Sequence, residues 1–170
     1  MARRLKVDLF KKDSLSNLVS EIEKYKKTVE YKTNLLASIL AQSGVDIAKI
    51  NVVQMNAVFT TDLLNSIHVE NASGNIFYIV ADSEHAIFVE IGTGIIGAQH
   101  PYHGALPVEY AQGKYIRDFN GKYGWFYCDR FGKWHFTEGM PSRPFMYNTT
   151  LELYKIVTKT AKKVFEYVDK

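Results

Sequence analysis

Apolar residues in the first part of the chain recur at Leu15, Leu18, Ile22, Tyr25, Val29, Leu36 and Ile39, three or four positions apart, with Lys32 interrupting the series. That spacing puts one apolar stripe along a helix. It predicts a long amphipathic helix from Leu15 to about Gln42, with Asp13 or Ser14 as N-cap. Ser43-Gly44 is the expected stop, because glycine adopts the left-handed cap conformation without a side-chain penalty. Such a helix is roughly 40 Å long at 1.5 Å per residue, more than a compact domain of this size requires. One end projects, or the narrow stripe is a seam for another helix, either the chain's own C-terminal one or a neighbouring subunit's. Asp46 to Val58 carries Ile47, Ile50 and Val53 at helical spacing and predicts a second helix, which breaks at Thr60-Thr61-Asp62.

Two β-prone runs follow, Ile67 to Glu70 and Ile76 to Ala81, with Asn71-Ala72-Ser73-Gly74-Asn75 as a hairpin connection. Ala86 to Ile91 continues in apolar character into Gly92-Thr93-Gly94, a turn that needs positive φ. Residues 95–115 hold Pro101, Pro107, two histidines and several glycines without lasting periodicity. They read as a long loop, and loops of that length are usually functional or disordered, so His100, Pro101, Tyr102, His103, Tyr110 and Tyr115 become candidate partner contacts. Tyr123 to Cys128 and Lys133 to Thr137 flank the turn-forming Asp129-Arg130-Phe131-Gly132, a second hairpin. After Pro141 and Pro144, helical spacing resumes from Phe145 to Tyr167 through Leu151, Tyr154, Val157, Ala161 and Val164. The predicted class is α+β: an antiparallel sheet built from hairpins, packed against a long N-terminal helix and a C-terminal helix.

The chain has 170 residues, which suits one domain over 1–170, with residues 1–13 as a flexible basic arm. A hydrophobic share of 46% and a charged share of 23% are those of a globular protein, and no apolar run approaches the roughly 18 to 20 residues of a membrane helix. Cys128 is the single cysteine, which excludes an internal disulfide and a thiolate cluster; in its aromatic strand it reads as a small buried hydrophobe. A net charge of +3, spread along the chain, does not demand nucleic acid. Eleven Tyr and ten Phe exceed what a small core needs and favour protein interfaces.

Three constellations carry candidate chemistry. His100 and His103 place two imidazoles three residues apart, the start of a zinc site and of a metal-dependent hydrolase, but no third ligand stands at a recognisable spacing. His68, His85 and His135 lie in β-like stretches and read as strand-face side chains. Gly92, Gly94 and Gly97 resemble part of a phosphate loop, yet no Lys-Ser or Lys-Thr pair follows. Basic and aromatic residues alternate at Lys114, Tyr115, Arg117, Phe119, Lys122, Tyr123, Trp125 and Phe126, a mixture that stacks on bases and neutralises phosphates. The plainer expectation for that hairpin is rings facing the core and charges facing water. No serine-nucleophile elbow is present, and catalysis, a cofactor and a metal are not expected.

Ala86-Ile87-Phe88-Val89-Glu90-Ile91-Gly92-Thr93-Gly94, followed later by Gly139-Met140-Pro141-Ser142-Arg143-Pro144-Phe145-Met146, resembles the gene-product-ten-like head-to-tail joining or tail-component proteins of lambda-like tailed bacteriophages. In that family a strand ending in an acidic residue enters a Gly-Thr-Gly turn, and an Arg-Pro-Phe segment opens the last helix. Thr61-Asp62-Leu63-Leu64-Asn65-Ser66-Ile67 matches a third segment, with Asp62 where the family has glycine. The resemblance covers roughly Ala48 to Leu151. It marks Glu90, Gly92, Thr93, Gly94, Arg143, Pro144 and Phe145 as scaffold, with Glu90 accepting backbone hydrogen bonds across the turn and Phe145 anchoring the last helix to the sheet.

The resemblance implies a non-enzymatic virion protein of the neck or upper tail, found in the host cytoplasm before assembly. It implies a homo-oligomeric ring between a connector or head-completion protein and a tail terminator or tail-tube protein, with DNA passing through the lumen and no membrane contact. Before assembly the protein is expected to be monomeric or weakly associated. The rival expectations are a DNA-binding protein using the basic aromatic hairpin, and a hydrolase centred on His100 and His103.

Overall fold

The computed structural model describes residues 11–57, 61–105, 116–117, 120–129 and 131–167. Helix α1 (Lys12–Gln54) is a single rod of 43 residues, about 65 Å long. It passes straight through Gly44, where the sequence predicts a stop, and takes up most of the predicted second helix. Gly44 serves packing instead: a Cβ there would lie 2.2 Å from Ile79 Cδ1 and 3.1 Å from Leu153 Cδ1. A helix tolerates glycine at a cost of roughly 1 kcal/mol when contacts at that position offset it.

Helix α2 (Thr61–Ser66) buries Leu63 and leads into β1 (Ile67–Ser73), which pairs antiparallel with β2 (Ile76–Ala81). Asn71, Ala72 and Ser73 lie within β1, with a register shift between Asn71 and Ser73, so the predicted five-residue connection shrinks to Gly74-Asn75. Next come two short helices, α3 (Ala86–Ile91) and α4 (Gly94–Gln99). The expected strand entering the glycine turn is therefore a helix, and the expected loop begins only after α4. His85 precedes α3 in helical conformation and is not a strand residue.

Strand β3 (Ile116–Arg117) pairs with β4 (Tyr123–Cys128), and β4 with β5 (Trp134–Thr137), all antiparallel. After the short β6 (Gly139–Met140) comes α5 (Phe145–Tyr167). The class is α+β, with a long N-terminal helix, a C-terminal helix and antiparallel hairpins. Among the described residues the strands form two separate small sheets, however, where the sequence predicts one. The first, β1–β2, lies along α1.

The core gathers Val45, Ala48 and Val52 of α1, Leu63, Ile67, Ala86, Val89 and Phe145. Helix α5 runs antiparallel to the second half of α1: Lys32 Nζ donates to the Phe165 carbonyl at 3.2 Å, while Asn51 Nδ2 reaches Thr149 Oγ1 at 3.2 Å and the Phe145 carbonyl at 3.4 Å. Lys32 thus does not interrupt the stripe but is buried within it, over the Phe165 ring and bonded near the end of α5, where carbonyls carry negative partial charge. The face of α5 turned to α1 runs through Phe145, Thr149, Leu153, Ile156, Thr160 and Val164, while Leu151, Tyr154 and Val157 of the predicted stripe are exposed. Two threonines on the inner face hide it from a hydrophobicity pattern. Thr149 Oγ1 bonds back to the Phe145 carbonyl at 2.7 Å, and Thr160 Oγ1 to that of Ile156 at 3.0 Å, which satisfies both hydroxyls.

Contrary to the expectation from apolar runs, α1 contains an 18-residue window long and apolar enough for a membrane span. Charges crowd the helix up to Lys32, so that window lies beyond it, where a third of it is buried against the rest of the protein.

Candidate functional site

The two stretches that carry the family resemblance meet in space. Glu90, near the end of α3, aims its carboxylate at the first turn of α5: Oε2 accepts the Met146 N–H and Oε1 the Tyr147 N–H, both at 2.9 Å. These donors lack intrahelical partners, so Glu90 caps α5 from 56 residues away in sequence and sets a negative charge against its positive end. Glu90 accepts backbone bonds as expected, but from α5 and not across its own turn. Pro144 stands one place before the helix, its carbonyl accepting the Asn148 N–H at 3.0 Å. Phe145 is buried against α1 and α3 as well as β1.

Backbone contacts complete this joint. The Arg143 N–H donates to the Val89 carbonyl at 2.9 Å, Ser142 Oγ to the Glu90 carbonyl at 2.7 Å, and the Met140 N–H to Thr93 Oγ1 at 3.2 Å. Thr93 and Gly94 form antiparallel bridges with Met140 and Gly139. Gly92 and Gly94 have φ of 82° and 68°, the positive values expected of the turn. A Cβ would also lie 2.5 Å from the Ser142 nitrogen at Gly92 and 2.3 Å from the Glu138 carbonyl at Gly94. The glycines are needed both for the backbone conformation and for close approach.

Tyr102, predicted as a partner contact, belongs to this joint. Its hydroxyl bonds to the Glu90 carboxylate, and its ring meets Tyr147 edge to face at 5.9 Å. Burial raises the Glu90 pKa above the ordinary carboxyl range, against the opposing pull of the Met146, Tyr147 and Phe145 N–H groups and the Tyr102 hydroxyl. Burial also raises the Tyr102 pKa, reinforced by the neighbouring Glu90 charge. His100, Pro101 and His103 are exposed, and the His100 carbonyl accepts the Ser142 N–H at 3.4 Å. Tyr110 and Tyr115 lie outside the described residues.

Among the described residues, the group of three side chains able to hold a metal is not at His100 and His103 but at His68, Glu70 and Asp82. His68 Nδ1 lies 2.8 Å from the Ser66 carbonyl, which can only accept, so the proton sits on Nδ1 and leaves Nε2 facing Glu70 Oε1 at 3.4 Å and Asp82 Oδ2 at 3.6 Å. That bond raises the imidazole pKa first, partial desolvation opposes it, and the two carboxylates add to the rise. The cluster therefore favours an imidazolium between two solvated carboxylates. His68 and Glu70 alternate on one strand face, the signal by which sequence alone could have paired them.

The β4–β5 hairpin departs from its plain expectation. Phe131 is 81% and Trp134 66% exposed, Tyr123, Phe126 and Tyr127 are exposed too, and so is Cys128, which is no core residue. Arg117 lies over the Tyr123 ring at 4.5 Å, and Lys122 pairs with Glu138 at 3.4 Å. Asp129 ties the turn by accepting the Phe131 and Lys133 N–H groups at 2.9 Å each, and it meets His135 Nε2 at 2.8 Å. The His135 contact, followed by the Lys133 bond, lowers the Asp129 pKa. Lys114, Tyr115 and Phe119 fall outside the described residues.

A cleft of about 370 Å³ opens between α1, β2 and α5. Its walls, including Leu40, Phe77, Ile79 and Leu153, are mostly apolar, and no set of acid, base and nucleophile converges there. Comparison of the chain with protein-family models, curated proteins and solved structures gives no match.

Proposed function

We propose that this chain is a structural virion protein of a tailed bacteriophage, a head-to-tail connector or tail-completion subunit that acts by protein–protein contact. The observation that supports this reading is the joint itself. Glu90, Thr93 and the glycines make direct contact with Met140–Tyr147, so the two stretches resembling the family form one device that sets α5 against the rest of the fold. A scaffold held in this way leaves surfaces for assembly: the exposed first half of α1, the exposed side chains after α4, and the aromatic hairpin. In this reading copies of the chain form a ring in the virion neck or upper tail, between a connector or head-completion protein and a tail terminator or tail-tube protein, with DNA passing through the lumen. Before assembly the protein resides in the host cytoplasm.

Electron microscopy of particles made without this protein tests the reading. Filled heads and separate tails are expected, and particles joined in normal yield contradict it. The exposed aromatic hairpin favours one second reading, direct contact with nucleic acid. Against it, Lys122 is paired with Glu138, and Asp129 adds negative charge to the same hairpin. A salt-sensitive mobility shift with single-stranded or duplex DNA, lost when Trp134 is replaced by Ala, would reverse the preference.

A further inference from the structure

Helix α1 has two environments. From Val29 onward its stripe is progressively covered by α5 and the β1–β2 hairpin, whereas none of the described side chains from 11 to 28 is buried. Phe165 lies opposite Lys32 and α5 is described to Tyr167, so most of α1 before Val29 runs beyond its packing partner. The stripe nevertheless continues: Leu15, Val19 and Ile22 are about half exposed and Tyr25 65% exposed.

We propose that Leu15 to Val29 pairs with the same segment of a second copy of this chain as a short parallel coiled coil. The spacing is heptad, with Leu15, Ile22 and Val29 at a and Leu18 and Tyr25 at d. Ile22 and Val29 at a with Leu18 at d follow the combination that favours two parallel strands, from which Leu15 at a and Tyr25 at d depart. Charge selects the same orientation. Glu21 falls at g and Lys26 at the following e, the pair that meets across a parallel interface five residues apart. An antiparallel pair sets g beside g and e beside e, and no such acid–base match results. In the single chain Glu21, partly exposed, pairs with Lys24 at 3.6 Å, and Lys26 with Glu30 at 3.8 Å in an exposed contact of small energetic worth. The next d position is Lys32, already held by α5, so the seam ends at Val29. Two heptads make a weak, concentration-dependent dimer. This pairing does not depend on the virion role.

Sedimentation equilibrium of the full chain from about 10 µM to about 1 mM tests it, with a reversible monomer–dimer equilibrium expected. Ile22→Asp places a charge in the seam and raises the dissociation constant at least about a hundredfold, with unchanged circular dichroism. Glu21→Lys and Lys26→Glu each weaken the dimer about three- to tenfold, and the double exchange restores it. In a Cys128→Ser background, Leu18→Cys forms an intermolecular disulfide in the parallel dimer, because residues at d lie side by side. A chain that stays monomeric throughout, a dimer indifferent to Ile22→Asp, or a dimer in which Leu18→Cys does not cross-link overturns the proposal.

Discussion

Glu90 satisfies two donors at the start of α5 with one carboxylate, from a half-buried position. Glu90→Ala leaves both N–H groups without that acceptor and should cost about 1–3 kcal/mol in urea unfolding. Its pKa is raised in the folded state by burial, so the increment of stability linked to protonating Glu90 is fully present below the ordinary carboxyl pKa and is lost as pH rises through the raised value, while the two N–H bonds persist. The stability advantage of the wild type over Glu90→Gln should therefore be largest in acid and narrow toward neutrality. An advantage that grows with pH would mean that the α5 donors outweigh desolvation. The sequence shows Glu90, the glycines and Arg143–Phe145 as two local devices. Their union depends on hydrogen bonds spanning more than fifty residues, which no local pattern encodes.

At the scale of elements, α5 has an opposite charge from elsewhere in the chain at each end, Glu90 at its start and Lys32 near its finish. Lys32→Met keeps the apolar stem but removes the bond to the Phe165 carbonyl, and a loss of about 1.5–3 kcal/mol is expected in denaturant titration. Gly44 makes the complementary case. Gly44→Ala improves helix propensity by up to about 1 kcal/mol, yet its Cβ collides with Ile79 Cδ1, and overpacking typically costs about 1–3 kcal/mol. A lower Tm is expected, recovered in large part by adding Ile79→Val, which removes that methyl group. A rise in Tm from Gly44→Ala alone would show the contact to be slack. Element types were readable where periodicity was strong, as in the helices at either end and both hairpins. At Ala86–Ile91 the family resemblance implies a strand where the structure has a helix, and five apolar residues around Glu90 fit either equally well.

Across the whole molecule, stability is expected to be graded along α1. Amides near Val45, Ala48 and Val52 sit against the core and should exchange hydrogen only on global unfolding, whereas those from 15 to 25 should exchange by local opening in the monomer. Raising the protein concentration should slow exchange in that N-terminal stretch alone if the two chains pair through it. Uniform protection along α1 in dilute protein would sink the gradient. The same division explains how one rod serves two purposes, with its second half fixing the fold and its first half open to a partner.

The Glu90–Gly94 turn, the Phe145–Tyr167 helix, the long N-terminal amphipathic stripe and both hairpins were determined by the sequence itself, because each rests on spacing, turn chemistry or backbone freedom within a few residues. Tertiary structure alone decided that α1 runs on through Gly44, that Lys32 is buried, that the strands divide into two sheets, and that Tyr102 closes on Glu90. Each of these depends on which surfaces meet: a glycine reads as a stop until another element is seen against it, and a lysine reads as solvated until a helix end is found within its reach.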